Sequence, residues 1–305
     1  MISVVVVAGA TASGKTALSV ELAKRLSGEV VSCDSMQIYK GMDIGTAKPT
    51  KEEMQGVPHH MLDFLEPSEN FSVADFCDMA RGIISDISIR GKLPILTGGT
   101  GLYIDSLIDN IEFAKETTKA DEREKLYKLA ETSGKEAVYA ILSEIDPEYA
   151  KIVHPNNLKR VIRAIEFYKT TGMTVTEHNA LTKTPIYKNV CFCIDWDREV
   201  LYDRINARVD AMIENGLEKE AKALYDKYGR QNFTAFSGIG YKEFFDYFEG
   251  KKSLDEIIEE IKQGTRRYAK RQLSWFRRND KIHWLKPEEN IVENAIDIIK
   301  QELSD

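Results

Sequence analysis

Eight residues near the start of the chain have the types and spacing of a phosphate-binding loop (P-loop). They read Gly9-Ala10-Thr11-Ala12-Ser13-Gly14-Lys15-Thr16, a G-x-x-x-x-G-K-T pattern. In such a loop the glycines let successive backbone N–H groups converge on phosphate oxygens, and the following helix points its positive end at the same place. Lys15 would supply a point charge and Thr16 a hydroxyl ligand for Mg²⁺. The pattern predicts a polyphosphate site, which in most such proteins belongs to an ATPase, a GTPase or a small-molecule kinase.

A second polar stretch, Asp34-Ser35-Met36-Gln37, follows the predicted strand 29–33. Open α/β sheets bind ligands at the carboxyl ends of their strands, so Asp34 is expected beside the phosphate loop. Two interpretations of this carboxylate stay open. It is either a reacting group or the cap of a turn or helix.

A third stretch, Gly98-Gly99-Thr100-Gly101, follows the apolar strand 93–97. In many phosphate-loop hydrolases a later strand ends in an acidic residue that holds Mg²⁺, with a water-activating group nearby. Glycine backbone can shape a pocket, but it cannot orient a hydrolytic water. The absence of an acid here therefore argues against an ATPase.

Two further groups of cations could bind the same anion. Arg204 and Arg208 lie four residues apart on a predicted helix and share one face, where they could clamp a diphosphate or pair with Asp203 or Glu214. Lys48, in the Gly- and Thr-rich loop 42–49, is another candidate anion contact. The sequence leaves these alternatives open.

Two helical segments carry a strong positive charge in a chain whose net charge is −7. One turn of a predicted helix carries Lys159, Arg160 and Arg163. These residues either contact nucleic acid or form a solvated helical face, and both interpretations stay open. Residues 262–278 carry seven basic residues and no acid: Lys262, Arg266, Arg267, Lys270, Arg271, Arg277 and Arg278. This second run predicts a surface for a phosphate backbone. Its aromatic residues, Tyr268, Trp275 and Phe276, either anchor the helix or stack on bases, and anchoring is favoured.

These residues must be positioned by an α/β fold. Strand-like runs at 2–7, 29–33, 60–64, 93–97, 190–195 and 282–285 alternate with helical patterns, which predicts a P-loop-containing parallel sheet core flanked by helices. Between them the pattern is helical, at 121–132, 135–145 and 156–171. We therefore predict a catalytic core of residues 1–110 and 190–305, and an all-helical insertion domain of residues 111–189.

Composition limits the class of protein. The 305 residues include no apolar run long enough to cross a bilayer, so a cytoplasmic location and no membrane partner are expected. Net charge argues against indiscriminate nucleic-acid binding. The four cysteines form no disulfide framework, and Cys191 and Cys193, which share one side of a strand, lack a second pair for zinc.

Four blocks in order give the chain a specific resemblance. They are the loop 9–16, Asp34-Ser-Met-Gln-Ile-Tyr-Lys-Gly41 with Gly45-Thr-Ala-Lys48, Gly98-Gly-Thr-Gly-Leu-Tyr103, and Arg271-Gln-Leu-Ser-Trp-Phe276. Together they resemble the tRNA dimethylallyltransferases, also called tRNA isopentenyltransferases, over nearly the whole chain. One departure is Ala10, where the family often has proline, and it should alter only the stiffness of the loop.

The resemblance implies a reaction and roles for particular residues. Dimethylallyl diphosphate would be the donor, and its prenyl group would go to N6 of the adenosine on the 3′ side of the anticodon. The phosphate loop and Mg²⁺ would hold the departing diphosphate. Asp34 would be the general base, and Thr100 would help to position the adenosine. Arg208 would bind diphosphate oxygens together with Lys15, with Arg204 as the alternative.

The resemblance also implies a tRNA partner, held by its anticodon stem-loop with the target adenine flipped out of its stack. Gln37 could read the edge of that adenine. The implied substrate contacts are Asp34, Ser35, Met36, Gln37, Arg123, Lys159, Arg160, Arg163, Gly238, Tyr241, Lys242 and Arg271. We expect a monomer.

Three rival functions remain from the sequence. An adenylate isopentenyltransferase would share the donor but would have little use for a helical insertion and a basic helix. A small-molecule kinase would bind ATP tightly and dimethylallyl diphosphate not at all. A non-catalytic RNA-binding protein would leave Asp34 and the phosphate loop unexplained.

Overall fold

The computed structural model describes residues 1–111, 120–181 and 185–303. Residues 112–119 and 182–184, which the sequence assigned to the insertion, lie outside the described residues, as do 304 and 305. Contacts divide the chain into two compact units. Unit 1 comprises Met1–Asn110 and Pro185–Asp305, and unit 2 comprises Ile111–Thr184.

Unit 1 is built on one parallel sheet, as predicted. Its strands are β1 (Ile2–Ala8), β2 (Gly28–Ser32), β3 (His59–His60), β4 (Leu93–Gly98), β5 (Tyr187–Ile194) and β6 (Ile282–Leu285). Their order across the sheet is β3-β2-β4-β1-β5-β6. Strand β1 is central, with Val5 opposite Ile95 on one side and Val190 on the other. Because both faces of a parallel sheet are covered, the continuous valine run of β1 is wholly buried.

Helices follow the strands in chain order. They are α1 (Lys15–Leu26), α2 (Lys51–Met54), α3 (Val73–Ile89), α4 (Gly101–Ile108), α5 (Ala120–Ser133), α6 (Lys135–Ile145), α7 (Pro147–Ile152), α8 (Leu158–Thr171), α9 (Val175–Ala180), α10 (Arg198–Glu214), α11 (Leu217–Tyr228), α12 (Lys242–Phe248), α13 (Leu254–Phe276) and α14 (Ile291–Leu303). None of the described helices is both long and apolar enough to cross a membrane.

Three predicted elements have different bounds in the structure. The strand predicted at 60–64 is only the pair His59–His60, because Met61 and Asp63 have φ angles of 64° and 57°, which a strand cannot contain. Strand β5 begins at Tyr187, before the predicted Val190, and pairs with Ile2 there. The last helix begins at Ile291, later than the predicted start near residue 287.

Two of the apolar clusters in the described part of unit 1 fix helices to the sheet and to one another. One packs α1 and α14 against the sheet through residues such as Leu22, Phe192 and Ile296. The other gathers Tyr39, Phe244 and buried residues of α11, α12 and α13. Each fully buried side chain of this size contributes about 1.5–3 kcal/mol to folding, so α13 is firmly fixed to the rest of unit 1.

The described part of unit 2 is helical throughout, from α5 to α9. Its core contains Val138, Leu142, Val161 and Ile165. Asp146 is buried, accepts the Tyr149 N–H at 3.0 Å as the cap of α7, and accepts the Thr176 hydroxyl at 2.6 Å. This carboxylate ties α7 to α9, and these hydrogen bonds outweigh its burial and lower its pKa.

Candidate active site

The phosphate loop lies between the end of β1 and the first turn of α1. Gly9, Ala12 and Gly14 take positive φ angles of 129°, 61° and 95°, and Gly14 caps α1. Glycine adopts such angles without strain, which explains two of the three residue types. The curled backbone and the helix N-terminus form the positively polarised end that a phosphate requires.

Side chains from three distant parts of unit 1 hold this loop in shape. The Trp196 indole donates to the Ser13 carbonyl at 2.8 Å, and the Arg204 Nε donates to the Ala12 carbonyl at 2.9 Å. On the other side the Thr11 N–H donates to Gln272 Oε1 at 2.9 Å. The loop is thus preorganised, which reduces the reorganisation that ligand binding requires.

The two candidate arginines have different surroundings. Arg204 is exposed and its guanidinium lies 4.4 Å from the Trp196 ring centroid, so it is a brace on the outside of the loop. Arg208 lines the cavity and its Nη1 lies 3.5 Å from Thr11 Oγ1. Of the two, Arg208 therefore has the position for an anion contact.

Lys15 and Arg208 place two positive charges in the same recess. Burial and the charge of Arg208 lower the pKa of Lys15 to about 8, although Asp34 acts in the opposite direction. Burial likewise lowers the pKa of Arg208. The Lys15 ammonium donates to the Ala10 carbonyl at 2.6 Å, a weak substitute for an anion. A bound diphosphate would supply the missing negative charge.

Asp34 stands at the carboxyl end of β2 and organises its own turn. Its Oδ1 accepts the N–H groups of Met36 at 2.8 Å and Gln37 at 3.4 Å. Thr100 binds the same turn, since its Oγ1 accepts the Ser35 N–H at 3.2 Å. Asp34 therefore caps its own turn through Oδ1, as one of the two interpretations predicted.

One cavity of about 350 Å³ brings many of the predicted residues together, although Thr100 is not among its lining residues. It is lined by Thr11, Ala12, Lys15, Thr16, Asp34, Ser35, Met36, Gln37, Arg208, Gly238, Tyr241, Lys242 and Arg271, among others. The phosphate loop and the Asp34 turn thus open into one space. The pocket-forming turn 97–99 belongs to the same lining.

Two polar residues of α13 in this cavity, Tyr268 and Gln272, were not assigned to the active site from the sequence, where Tyr268 was named only as a helix anchor or a base-stacking residue. Gln272 is buried and bridges two turns, accepting the Thr11 N–H and donating from Nε2 to the Gly99 carbonyl at 2.9 Å. The Tyr268 hydroxyl hydrogen-bonds with Thr100 and Gln272, and burial followed by the nearby Asp34 charge raises its pKa to about 12. The available signal was their four-residue spacing, which puts both on one face of α13.

Replacing Gly99 by alanine should test the contact with Gln272. An added Cβ would lie 2.0 Å from Gln272 Nε2 and 3.3 Å from the Gly9 carbonyl oxygen, so the bridge must move. We expect a loss of about 1–3 kcal/mol in unfolding free energy, the usual cost of overpacking, measured by urea denaturation. Gly82→Ala is the control, because its Cβ would meet nothing within 4 Å. Equal stability of the two variants would contradict the contact.

Several candidate contacts are already occupied by the protein. The Gln37 amide donates to the carbonyls of Thr46 at 3.3 Å and Ala47 at 3.1 Å, and its oxygen accepts the Ser32 hydroxyl at 3.1 Å. Reading an adenine edge would require Gln37 to give up these bonds. The Lys48 ammonium binds Asp63 at 2.7 Å and a second carboxylate, which corrects its interpretation as an anion contact.

The motif at 238–242 has mixed surroundings. Tyr241 is 1% exposed and its hydroxyl donates to Glu220 at 2.7 Å, so its side chain supports the fold. Gly238 and the exposed Lys242 line the cavity. Of the two side chains predicted to contact substrate in this motif, that of Lys242 is exposed and that of Tyr241 is committed to Glu220.

The basic segment 262–278, which covers the second half of α13 and the two residues after it, presents one exposed side and one anchored side. Arg267, Lys270, Arg271, Arg277 and Arg278 are exposed. Lys262 pairs with Asp210 at 2.7 Å, and Arg266 donates to Asn206 at 2.5 Å. The Trp275 indole donates to Asp105 at 2.8 Å and Phe276 is buried, which confirms that these aromatic residues anchor the helix.

The other basic residues that the sequence predicted as tRNA contacts lie in unit 2. Lys159, Arg160 and Arg163 are exposed on α8, and Arg160 donates to the Tyr149 hydroxyl at 2.9 Å. Arg123 binds the buried Glu166 through Nε at 2.8 Å and Nη2 at 3.1 Å. This bidentate ion pair compensates a buried charge, so Arg123 has a structural role in unit 2.

Comparison with known proteins gives a consistent result. The family described as IPP transferase matches residues 37–279, and the family described as isopentenyl transferase matches residues 2–68. A tRNA dimethylallyltransferase of Caldanaerobacter subterraneus subsp. tengcongensis is 50% identical over 291 residues, 93% of this chain and 91% of that protein.

Solved structures agree with the sequence comparison. A full-length tRNA isopentenylpyrophosphate transferase from Bacillus halodurans is 46% identical, with a TM-score of 0.76 over 99% of this chain and 97% of the other. A eukaryotic dimethylallyltransferase acting on tRNA is 32% identical, with a TM-score of 0.83 over 100% of this chain and 77% of the other.

Proposed function

The chain belongs to the tRNA dimethylallyltransferase family, and on that premise we propose how its residues perform the reaction. The enzyme transfers the dimethylallyl group of dimethylallyl diphosphate to N6 of the adenosine 3′ to the anticodon of tRNA. One observation carries the assignment of residues. A single cavity is lined both by the cations Lys15 and Arg208 and by the carboxylate of Asp34.

The cation side of the cavity would hold the leaving group. As the bond between the allylic carbon and the diphosphate oxygen breaks, the electron pair leaves with the diphosphate. The loop N–H groups, Lys15 and Arg208 stabilise that charge more strongly as it develops. Because the acceptor is an amine, no group that activates water is required.

The carboxylate side would receive the proton. N6 of the adenine attacks the allylic carbon, forms the new C–N bond, and passes one proton to Asp34. The turn bonds from Met36 and Gln37 occupy Oδ1 and orient the carboxylate. Thr100, held by Ser35 and Tyr268, would position the nucleoside beside it.

Magnesium fits the phosphate loop as a shared ligand of protein and donor. Among the described residues there is no cluster of three acidic, histidine or cysteine side chains that could hold a metal alone. Mg²⁺ commonly binds few protein groups together with substrate phosphates, and the Thr16 hydroxyl on the cavity wall suits that arrangement. When bound, the ion would neutralise part of the charge on the departing diphosphate.

The tRNA would be held by exposed cations on both units, with its anticodon stem-loop as the part bound. The exposed cations of the basic segment 262–278 lie in unit 1, and Lys159, Arg160 and Arg163 lie in unit 2. Contacts to the phosphate backbone would offset the cost of a few kcal/mol for flipping the target base into the cavity. We propose a monomer, since one chain supplies the whole cavity lining, and a cytoplasmic location with the tRNA substrate.

Incubation with labelled dimethylallyl diphosphate and either bulk tRNA or AMP tests this function. We expect N6-isopentenyladenosine in the tRNA digest and no product from AMP. Product from AMP alone would establish an adenylate isopentenyltransferase. Tight binding of ATP without binding of dimethylallyl diphosphate would instead favour a small-molecule kinase. Binding of tRNA without transfer would favour the non-catalytic alternative.

Arg271 is expected to contact the tRNA backbone, since it is exposed and borders the cavity. Arg271→Ala should weaken tRNA binding and reduce the slope of log affinity against log salt by about one. Fluorescence anisotropy with labelled tRNA at several salt concentrations measures both. Arg25→Ala, on another surface and paired with Glu293, is the matched control. An unchanged slope for Arg271→Ala would show that this residue touches no phosphate.

A further inference from the structure

The loop 43–48 forms part of the cavity wall and is bound to one half-buried carboxylate, that of Glu220. Gly45, Thr46 and Ala47 line the cavity. Glu220 Oε2 accepts the N–H groups of Asp43 at 2.9 Å and Ile44 at 2.8 Å. Its Oε1 accepts the Gly45 N–H at 3.0 Å. Three successive backbone donors therefore converge on a single residue of α11.

Tyr241, the residue that precedes α12, completes this arrangement. Its hydroxyl donates to Glu220 Oε1 at 2.7 Å, and its ring lies so close to Gly45 that a Cβ there would be 2.6 Å from the ring. Burial and the charge of Glu220 raise the pKa of the Tyr241 hydroxyl, so it remains a donor over the working pH range. The loop is fixed in position and in conformation.

The opposite edge of the same loop is fastened to the turn that carries Asp34. The Gln37 amide donates to the carbonyls of Thr46 and Ala47. Gln37 N–H in turn binds Asp34 Oδ1 at 3.4 Å. Glu220, the loop and the Asp34 turn therefore form one continuous hydrogen-bonded chain that ends at the proposed general base.

We infer that Glu220 is a positioning residue for the transfer reaction, which sets the cavity wall and the Asp34 turn through the loop 43–48. This inference rests on the proposed function. The anion cradle does not depend on it, because Lys15, Arg208 and the braces of the phosphate loop contact other elements. Loss of the Glu220 contacts should therefore disturb proton transfer and acceptor placement while diphosphate binding is preserved.

Glu220→Gln is the test variant, because it keeps the shape but replaces one accepting oxygen by an amide that faces N–H donors. We expect hydrogen exchange of amides 43–45 to become at least about tenfold faster. The kcat/KM for tRNA should fall by about tenfold to a hundredfold, as small displacements of reacting groups do. The affinity for inorganic diphosphate, measured by calorimetry, should stay within about twofold. Tyr241→Phe removes one bond only and should give a smaller loss.

Glu29→Gln is the matched control for a purely structural effect. Glu29 is a carboxylate with several partners, like Glu220, and it is fully buried. It binds Lys92 and His60 at 2.8 Å each, together with Arg90, but it lies at the start of β2 and outside the cavity lining. The Glu29→Gln variant should lower the free energy of unfolding but leave kcat/KM for tRNA unchanged. Two results for Glu220→Gln would overturn the inference. One is faster hydrogen exchange of amides 43–45 with unchanged kcat/KM, and the other is unchanged hydrogen exchange of these amides. Absence of transfer by the wild type would instead reject the proposed function, whatever the exchange rates.

Discussion

Asp34→Asn should lower the rate of prenyl transfer by at least about a hundredfold while leaving tRNA affinity nearly unchanged. Asparagine retains an oxygen where Asp34 Oδ1 accepts the N–H groups of Met36 and Gln37. The turn should therefore persist, and the variant removes the base without removing the cap. Single-turnover measurement of labelled product at saturating donor isolates this step.

The variant distinguishes the two interpretations that the sequence left open for Asp34. If the carboxylate only caps its turn, asparagine should preserve turnover. If it accepts the N6 proton, turnover should be lost although the turn is retained. The donor should bind no more weakly than in the wild type, because removing Asp34 removes a negative charge from the neighbourhood of the diphosphate.

Asp63→Asn is the control for a general effect of charge removal near this turn. Asp63 is exposed, pairs with Lys48 at 2.7 Å, and its backbone N–H binds the Gln37 carbonyl at 3.0 Å. It lies next to the Asp34 turn but is absent from the cavity lining. Turnover within about threefold of the wild type is expected for this variant. A comparable loss in both variants would argue against a specific role of Asp34.

The parts of the fold that could be predicted from sequence are those with local signals. A run of β-branched residues followed by two glycines, a lysine and a helical pattern describes β1, the loop and α1 without reference to other residues. The strand predicted beyond His60 failed because Met61 and Asp63 take positive φ angles. Residues 63–65 instead donate their N–H groups to the carbonyls of Gln37 and Ile38, contacts between distant residues that no local pattern predicts.

The parts of the site that could not be predicted depend on contacts between distant residues. Gln272 meets Thr11 across 261 positions and Gly99 across 173 positions, so no local pattern connects them. The choice between Arg204 and Arg208 has the same origin. Both share a helical face, yet only the location of Trp196 shows that Arg204 braces the loop from outside. Resemblance identified the motifs, but it could not show that Gln37 is occupied by the loop carbonyls.

Lys15→Met should weaken binding of dimethylallyl diphosphate by roughly tenfold to a hundredfold, the value of a buried charge-assisted hydrogen bond. Transfer should be slowed further, because the same ammonium stabilises charge that grows on the leaving group. Lys24→Met is the matched control. Lys24 is exposed on α1 and pairs with Glu21 at 3.0 Å, so its loss should leave donor affinity unchanged. Calorimetric titration with the donor compares the two variants, and equal affinities would exclude Lys15 from the anion site.

The pH dependence of donor binding provides the sharper measurement, because burial and Arg208 lower the pKa of free Lys15 to about 8. A bound diphosphate favours the ammonium and must raise that pKa. Between about pH 8 and the raised value, the complex holds a proton that the free enzyme has lost, so affinity should fall as pH rises. Below about pH 8 the titration of Lys15 should no longer change the affinity for the donor, because Lys15 is protonated in both the free enzyme and the complex. Calorimetry in two buffers of different ionisation enthalpy should detect proton uptake near pH 8.5 in the wild type. Lys15→Met should show none, and uptake that persists in this variant would assign the titration to another group.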